Sequence, residues 1–201
     1  MNSVTNPASP MKKKYLFLSL ALSAAFLSAR ADVIPTNASE DPEGSNFRWN
    51  YATNVTIDQM VEAGAYFTIY DFGNLIPGSN LQPAGWVFSS SLLGITPSTV
   101  LPNDDPNVMN LTWTYTGATP IQGQSLLGMF SVLSATNQMR TDNFAAHATR
   151  NGGPNPGTEI DNIGTVGVPV PEMSALAPII GVCGLGFIGV LSSLLRRRAT
   201  C

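Results

Sequence analysis

The chain has 201 residues, which is enough for one ordinary domain with an appendage at each end. Between Asp32 and Val170 it carries twelve acidic residues against three arginines and no lysine, a formal charge of −9. A surface of this sign repels phosphate backbones and anionic lipid heads, which argues against nucleic-acid binding by this segment. The two cysteines, Cys183 and Cys201, lie outside the segment, so it must be stabilised by its core and not by disulfides.

The N-terminal segment, residues 1–31, is typical of a secretory signal peptide. Three lysines at positions 12–14 precede an apolar stretch, and Ala29 and Ala31 have the small-residue spacing that signal peptidase reads. The apolar stretch of about 13 residues is too short to span a bilayer, which needs roughly 20. We therefore expect cleavage after Ala31 and export of the domain that follows. Translation from Met1 and from Met11 both fit this signal.

The middle of the chain, residues 32–165, has a hydrophobic period of two, which predicts β-strands. FRWNYATNVTID and NLTWTYTG alternate apolar and polar residues, and AYFTIYDF, GWVFSSS, LLGMFSVLS and IGTVGV are further β-rich runs. Turns rich in Gly, Pro, Asn and Asp separate them, and only DQMVEA, residues 58–63, is compatible with a helical turn. This pattern predicts an all-β domain that folds as an antiparallel β-sandwich, although a barrel or a jelly roll fits it too. Residues from Ile163 to Val170 are interpreted as a short linker.

The aromatic residues of the alternating stretches are expected to form the core of this domain. One face of the two stretches contains Phe47, Trp49, Tyr51, Thr53, Val55, Ile57, Leu111, Trp113 and Tyr115. The alternative is a sugar-stacking platform, but aromatics on the apolar face of a strand usually lie in the core. Trp86 follows a glycine in a turn-like setting and is the aromatic residue to test first for an exposed role.

The same segment offers little chemistry for catalysis. His147 is the one histidine and is expected to be a surface or hydrogen-bonded residue; no phosphate-binding glycine loop, metal-spaced His/Cys cluster or cysteine nucleophile accompanies it. We therefore predict a non-enzymatic domain without a cofactor. A pair of carboxylates acting on glycans is the enzymatic alternative. Asp104 and Asp105, flanked by Asn103 and Asn107, are weak candidates for calcium ligands, and a plain Asx-rich turn is the preferred interpretation.

A run of 22 uncharged residues, Ser174 to Leu195, predicts a transmembrane helix near the C-terminus. At 1.5 Å per residue it would be about 33 Å long, which spans the hydrocarbon layer. Arg196, Arg197 and Arg198 follow at once and provide a cytoplasmic stop, so the positive-inside rule places the preceding domain outside. A buried core helix is the weaker alternative, because three arginines would end it.

The run is preceded by Val168-Pro169-Val170-Pro171-Glu172, in which prolines favour an extended backbone. The order of a Pro-Glu motif, one transmembrane helix and an arginine cluster resembles the PEP-CTERM sorting domain of exported bacterial proteins. The resemblance covers roughly the last 30 residues, within a sorting tail of residues 166–201, with Val170, Pro171 and Glu172 at the first motif positions and Met173 in place of the usual second proline. It implies recognition by an exosortase, a membrane-embedded cysteine protease or transpeptidase, and removal of the helix near the motif.

Together these features predict an exported bacterial protein of the envelope, delivered to the cell surface or the extracellular matrix. The family resemblance implies a Gram-negative host that makes exopolysaccharide, which is an expected partner of the domain. A secreted carbohydrate-binding module is one alternative, favoured by exposed coplanar aromatics. A glycan-active hydrolase is the other, favoured by two carboxyl groups in one cleft.

Overall fold

The computed structural model describes residues 33 to 171, which form ten β-strands and, within that range, no helix. In chain order they are β1 (Val33–Glu43), β2 (Asn46–Val55), β3 (Gln59–Val61), β4 (Tyr66–Phe72), β5 (Trp86–Ser91), β6 (Met109–Tyr115), β7 (Ile121–Gln122), β8 (Ser125–Ser134), β9 (Met139–Arg150) and β10 (Glu159–Pro169). The all-β prediction is confirmed for this part of the chain.

The strands form two antiparallel sheets. The smaller sheet has the order β1-β2-β8. The larger sheet has seven strands in the order β5-β6-β4-β9-β3-β7, and β10 pairs with the other side of β9. All strand pairs are antiparallel, as predicted from the alternating sequence pattern.

The two sheets face each other across an aromatic core. Phe130 on β8 of the small sheet has its ring centroid 5.0 Å from those of Phe67 and Trp86, which belong to the large sheet. Trp113 on β6 stacks on Phe67 at 5.1 Å. The predicted core residues Trp49, Tyr51, Leu111, Trp113 and Tyr115 are all buried, because the inward positions of β2 and β6 meet in this layer.

The outer face of the large sheet is covered at β4 and β6, which the sequence did not predict for β6. Thr68 and Thr112 point away from the aromatic core, yet both are buried. Their hydroxyl oxygens lie 2.8 Å apart, and Thr68 Oγ1 also donates to the carbonyl of Ile95. The long connection between β5 and β6, residues 92–108, therefore lies across this face and satisfies its hydroxyl groups.

Three local predictions are wrong, each for a physical reason. Residues Gln59–Val61 of the expected helical turn form β3, which pairs with β7 and β9. Ile57 is 63% exposed, because β2 ends at Val55 before reaching it. Residues Ile163–Pro169, interpreted as a linker, continue β10 in register with β9, so the sheet extends four residues past the boundary expected at residue 165.

Candidate functional site

The first residues of the proposed sorting motif lie where β10 leaves the domain. Pro169 is the last residue of β10 and pairs with Met139 on β9. The next amide, that of Val170, donates to the carbonyl of Gln138 at 2.7 Å and so adds one more hydrogen bond to the strand pair. Val170 is 36% exposed and Pro171 is half-buried. The motif therefore begins as a continuation of the folded sheet.

Gly73 holds this end of β10 from the side opposite to β9. The amide of Gly73 donates to the carbonyl of Pro169 at 3.1 Å, and Asn74 Nδ2 donates to the carbonyl of Val170 at 3.4 Å. A Cβ atom on Gly73 would lie 2.5 Å from the backbone nitrogen of Pro171, closer than any real Cβ contact. Glycine is thus needed here because two backbones meet.

A mainly apolar cleft lies beside Pro171. Its volume is about 330 Å³. It is lined by Pro171 and by residues that include Phe72, Leu75, Pro77 and Met109. The ring of Pro171 thus lies against the domain, so the first motif residues are in contact with folded structure before Glu172 follows.

The remaining predicted sorting and targeting residues fall outside the part of the chain that the structure describes. They are Glu172, the helix predicted over 174–195, Arg196, Arg197 and Arg198, and the signal-cleavage residues Ala29 and Ala31. Between residues 33 and 171 no helix is long and apolar enough to cross a membrane.

A second group of polar residues surrounds His147 on the outer face of the large sheet. Strand pairing places it between Tyr66 on β4 and Asp161 on β10, each directly opposite. The Nδ1 atom of His147 lies 2.7 Å from Asp161 Oδ1, and the ring stacks on Tyr66 with centroids 5.4 Å apart. The hydroxyl of Thr99 donates to the other oxygen of Asp161 at 2.6 Å. As expected, His147 has hydrogen-bonding partners.

The shifted pKa values in this group have clear causes. Burial would raise the pKa of Asp161, but the hydrogen bonds from Thr99 and His147 outweigh it and leave the pKa below its ordinary value. Burial raises the pKa of Tyr66 to about 12, and the negative charge of Asp161 adds to the effect. Asp161 is therefore the ionised acceptor of the group, and Tyr66 stays a neutral phenol at physiological pH.

A polar cleft of about 380 Å³ opens next to His147. Glu62, Glu159 and Thr149 of β9 line it. The hydroxyl of Thr149 donates to Glu62 Oε1, and Glu159 Oε1 lies 4.0 Å from His147 Nε2. Because Nδ1 is engaged by Asp161, Nε2 is the ring atom available to the cleft. This arrangement brings two carboxylates and one oriented imidazole together.

The sequence alone did not bring these cleft residues together. The signal that would have found the His147 and Asp161 pair is the turn RNGGPNPGTE, which joins β9 to β10 as a hairpin. Counting outward from that turn places the two residues opposite each other. No comparable signal exists for Glu62, which reaches the cleft from beyond β3.

The weak calcium candidates are engaged in hydrogen bonds within the protein. Asp104 Oδ1 accepts from the side chain of Asn110 at 2.9 Å, and Asp105 Oδ1 accepts from both the amide and the side chain of Asn107. Over residues 33 to 171, no group of three or more His, Cys, Asp or Glu side chains is arranged to hold a metal ion. Asp104 and Asp105 act as turn and loop anchors.

The same loop is fixed by a buried carboxylate, Asp71, which is 1% exposed. The amide of Asp105 donates to Asp71 Oδ1 at 2.9 Å, and the guanidinium of Arg140 bonds the carbonyl of Asp71 at 3.2 Å. Burial raises the pKa of Asp71 despite these partners. Asp71 therefore anchors the loop between β5 and β6.

The three tryptophans do not form a surface platform. Trp49 and Trp113 are fully buried and Trp86 is 5% exposed, so an exposed role for Trp86 is not supported. Trp86 faces inward on β5 and packs against Phe67, Tyr115 and Phe130. Trp86 is the first residue of β5 and not part of a turn, and its indole points toward the core.

In comparisons with known proteins, no family model, no curated protein and no solved structure matched the chain.

Proposed function

We propose that this protein is an exported bacterial surface or extracellular-matrix protein that an exosortase sorts through its C-terminal tail. In this proposal residues 1–31 direct export and residues 174–195 hold the protein in the membrane until processing. The folded domain is a non-enzymatic, acidic β-sandwich with a jelly-roll-like variant as the alternative. Its two facing antiparallel sheets support the sandwich assignment.

The observation that carries the proposal is the position of Val170 and Pro171. They follow the last residue of β10 directly and are held by Gly73, Asn74 and Gln138. A sorting signal must be presented at a defined place outside the domain, and an extended Pro-containing segment fixed at its start meets this need. An ordinary anchor needs no such attachment, because a flexible linker would hold the domain equally well.

The acidic composition supports an extracellular role of the domain. Two of the three arginines of the domain form salt bridges: Arg48 with Glu43 at 2.6 Å, and Arg140 with Asp142 at 3.0 Å. The remaining surface charge is mainly negative, which keeps the domain soluble and away from anionic lipids. An exopolysaccharide is the proposed partner, and no nucleic acid is expected to bind.

The test is the intact mass of the exported protein in two hosts. In a host with an exosortase we expect a shortened species that has lost the residues after the motif. In a host without that enzyme the species should retain the C-terminal helix and stay in the envelope fraction. A helix-bearing protein as the sole species in both hosts would reject the proposal.

A second candidate function is a glycan-active hydrolase, favoured by the cleft that Glu62 and Glu159 share with His147. Glycoside hydrolysis needs two carboxyl groups on either side of the scissile bond, and the oriented imidazole could assist proton transfer. The test is release of reducing ends from the host's exopolysaccharide. Glu43 lies outside the cleft, at the end of β1, and serves as the control. Release that is lost in both Glu62→Gln and Glu159→Gln, but retained in Glu43→Gln, would favour this candidate over the non-enzymatic one.

The carbohydrate-binding module loses its main support. Sugar-stacking platforms use exposed, coplanar aromatic rings, and burial of Trp49, Trp86 and Trp113 leaves none of the tryptophans for this purpose. A polysaccharide partner would therefore have to be bound through polar groups.

A further inference from the structure

The strand β5 forms an open edge of the large sheet. Among the described strands it pairs only with β6. The amide of Thr116 donates to the carbonyl of Gly85 at 2.7 Å, so alternate residues from Gly85 onward direct their backbone groups toward β6. The residues between them, Trp86, Phe88 and Ser90, then direct their N–H and C=O groups away from the sheet. These groups form a ready template for one more strand.

No other described strand covers this edge from the side. Ser90 lies on the same face of β5 as the inward-pointing Trp86 and Phe88, yet it is exposed. On the other face Val87 is 53% exposed, and Leu93 just beyond the strand is 73% exposed. The edge is therefore accessible from both faces of the sheet.

The edges of β1, β8 and β10 are protected in ways that β5 is not. β1 contains Pro35 and Pro42 together with three acidic residues, and β10 contains Glu159 and Asp161. The free edge of β8 is bridged by the loop that follows β4, at Leu75 and Leu81. Charges, prolines and covering loops are the usual means by which proteins block edge pairing. In contrast, β5 has the sequence WVFSSS, without a charge or a proline, and its pairing with β6 runs without a bulge.

We propose that β5 pairs with β5 of a second copy of this chain, antiparallel and about a two-fold axis at Ser89. In this register Val87 lies opposite Ser91 of the other copy, and Phe88 lies opposite Ser90. Val87 and Phe88 then each face a serine, because the first half of the strand is bulky and the second half is serine. Antiparallel pairing of such a strand with itself is self-complementary.

The hydrogen-bond geometry agrees with this register. Phe88 and Ser90 both direct their backbone groups outward, so their pairing across the axis gives about four hydrogen bonds between the copies. The two Ser89 residues form the non-hydrogen-bonded pair between them. No charged side chain of β5 meets its symmetry mate, although the domains as a whole are acidic. A second copy is thus accepted at this edge without like charges in contact.

Cysteine cross-linking of the full, exported chain tests the register. In a background with Cys183 and Cys201 replaced by serine, Ser89→Cys places two thiols on Cα atoms about 4.5 Å apart, within the range for a disulfide. The control Ser91→Cys lies on the same strand and face, but its two copies would be about 13 Å apart. We expect about tenfold more disulfide-linked dimer from Ser89→Cys, since a disulfide requires this close approach.

A second substitution separates edge pairing from association elsewhere. Ser90→Pro removes an N–H that points to the free edge, so it leaves the pairing with β6 intact and blocks a new strand. Added to Ser89→Cys, it should reduce the dimer about tenfold, because the ladder between the copies loses its donors. The C-terminal segment is identical in all variants, so association through it would not produce these differences.

Three results would overturn the proposal. Equal cross-linking of Ser89→Cys and Ser91→Cys would indicate random collision. Cross-linking that survives Ser90→Pro would indicate a contact at another surface. A disulfide between the Ser89→Cys variant and a different protein, identified by mass spectrometry, would show that another strand occupies the edge.

Discussion

Gly73 and Pro171 are in backbone contact, although they come from the end of β4 and from the segment after β10. The site of a Cβ atom on Gly73 is 2.5 Å from the nitrogen of Pro171, and the Gly73 amide donates to Pro169. This contact joins the start of the proposed sorting motif to the folded domain. The accessibility of the motif therefore depends on how firmly the end of β10 is held.

Gly73→Ala should loosen this attachment. The added methyl group has no room, and overpacking of this kind costs about 1 to 3 kcal/mol of unfolding free energy. We expect a lower denaturation midpoint and faster cleavage near Pro171 by an added protease. The matched control is Gly152→Ala, where the nearest atom is 3.3 Å from the new Cβ and belongs to a side chain. Equal cleavage rates in parent and Gly73→Ala would show that the contact does not restrict the motif.

Trp113 should be the most sensitive position of the core. It is fully buried and packs against Phe67, Phe88 and Phe130, so Trp113→Ala should cost about 3 to 5 kcal/mol of unfolding free energy. Its Nε1 has no hydrogen-bond partner among the described residues. Trp113→Phe should therefore cost clearly less, because it keeps aromatic packing and removes a buried polar group without a partner. Chemical denaturation of both variants measures their unfolding free energies. A larger decrease for Trp113→Phe than for Trp113→Ala would contradict this prediction.

Asp161 should contribute to stability in a pH-dependent way. Its pKa is lowered in the folded state, so the folded protein binds fewer protons than the unfolded chain near that pKa. The contribution is complete above the unfolded value of about 3.9 and is lost as the pH falls through the lower folded value. Asp161→Asn should thus have a lower melting temperature than the parent at pH 7, with a difference that shrinks below about pH 3.9.

The control for this experiment is Asp58→Asn, which replaces a carboxylate in the turn before β3. Thermal melts of parent and both variants between neutral and acid pH provide the comparison. A difference between parent and Asp161→Asn that is the same at every pH would show that the hydrogen bonds from His147 and Thr99 do not act through the charge of Asp161.

The signal-peptide prediction is tested by the N-terminus of the exported protein. Cleavage after Ala31 predicts a mature chain that begins at Asp32, one residue before β1. Ala31→Glu should block this cleavage, since signal peptidase needs a small residue there. Intact mass gives the answer, and a mature parent protein that still contains the lysines at 12–14 would refute the prediction.

The sequence predicted the strands in which one face is apolar and the other polar. β2 and β6 show this alternation because their inward aromatic residues meet the opposite sheet. β9 was not predicted, because its core positions include Ala146 and Ala148 and it is also buried at Ala145 on the outer face. β1 contains prolines and acids and is a strand only because it pairs along the whole of β2.

The candidate site could be predicted only in its local part. The motif from Val170 to Glu172 is visible in the sequence because neighbouring residues carry it. The contact between Gly73 and Pro171 and the cleft shared by Glu62 and Glu159 are not, because each depends on the pairing of distant strands. Burial of Trp86 was missed for the same reason, since its partners Phe67 and Phe130 lie on two different sheets.

The most direct test of the sorting proposal is the ratio of full-length to tail-less protein for the parent and for Glu172→Ala. Glu172 lies outside the described residues, but it follows Pro171, whose position is fixed by the domain. The ratio is measured by intact mass in a host with an exosortase and in one without it, and Glu159→Ala, which alters another exposed carboxylate, is the control.

The proposal predicts that Glu172→Ala raises the ratio in the competent host, because the enzyme no longer recognises the motif, while Glu159→Ala matches the parent. In the host without the enzyme all three proteins should be full-length. Equal ratios for the parent and Glu172→Ala in the competent host would contradict the sorting role of the motif.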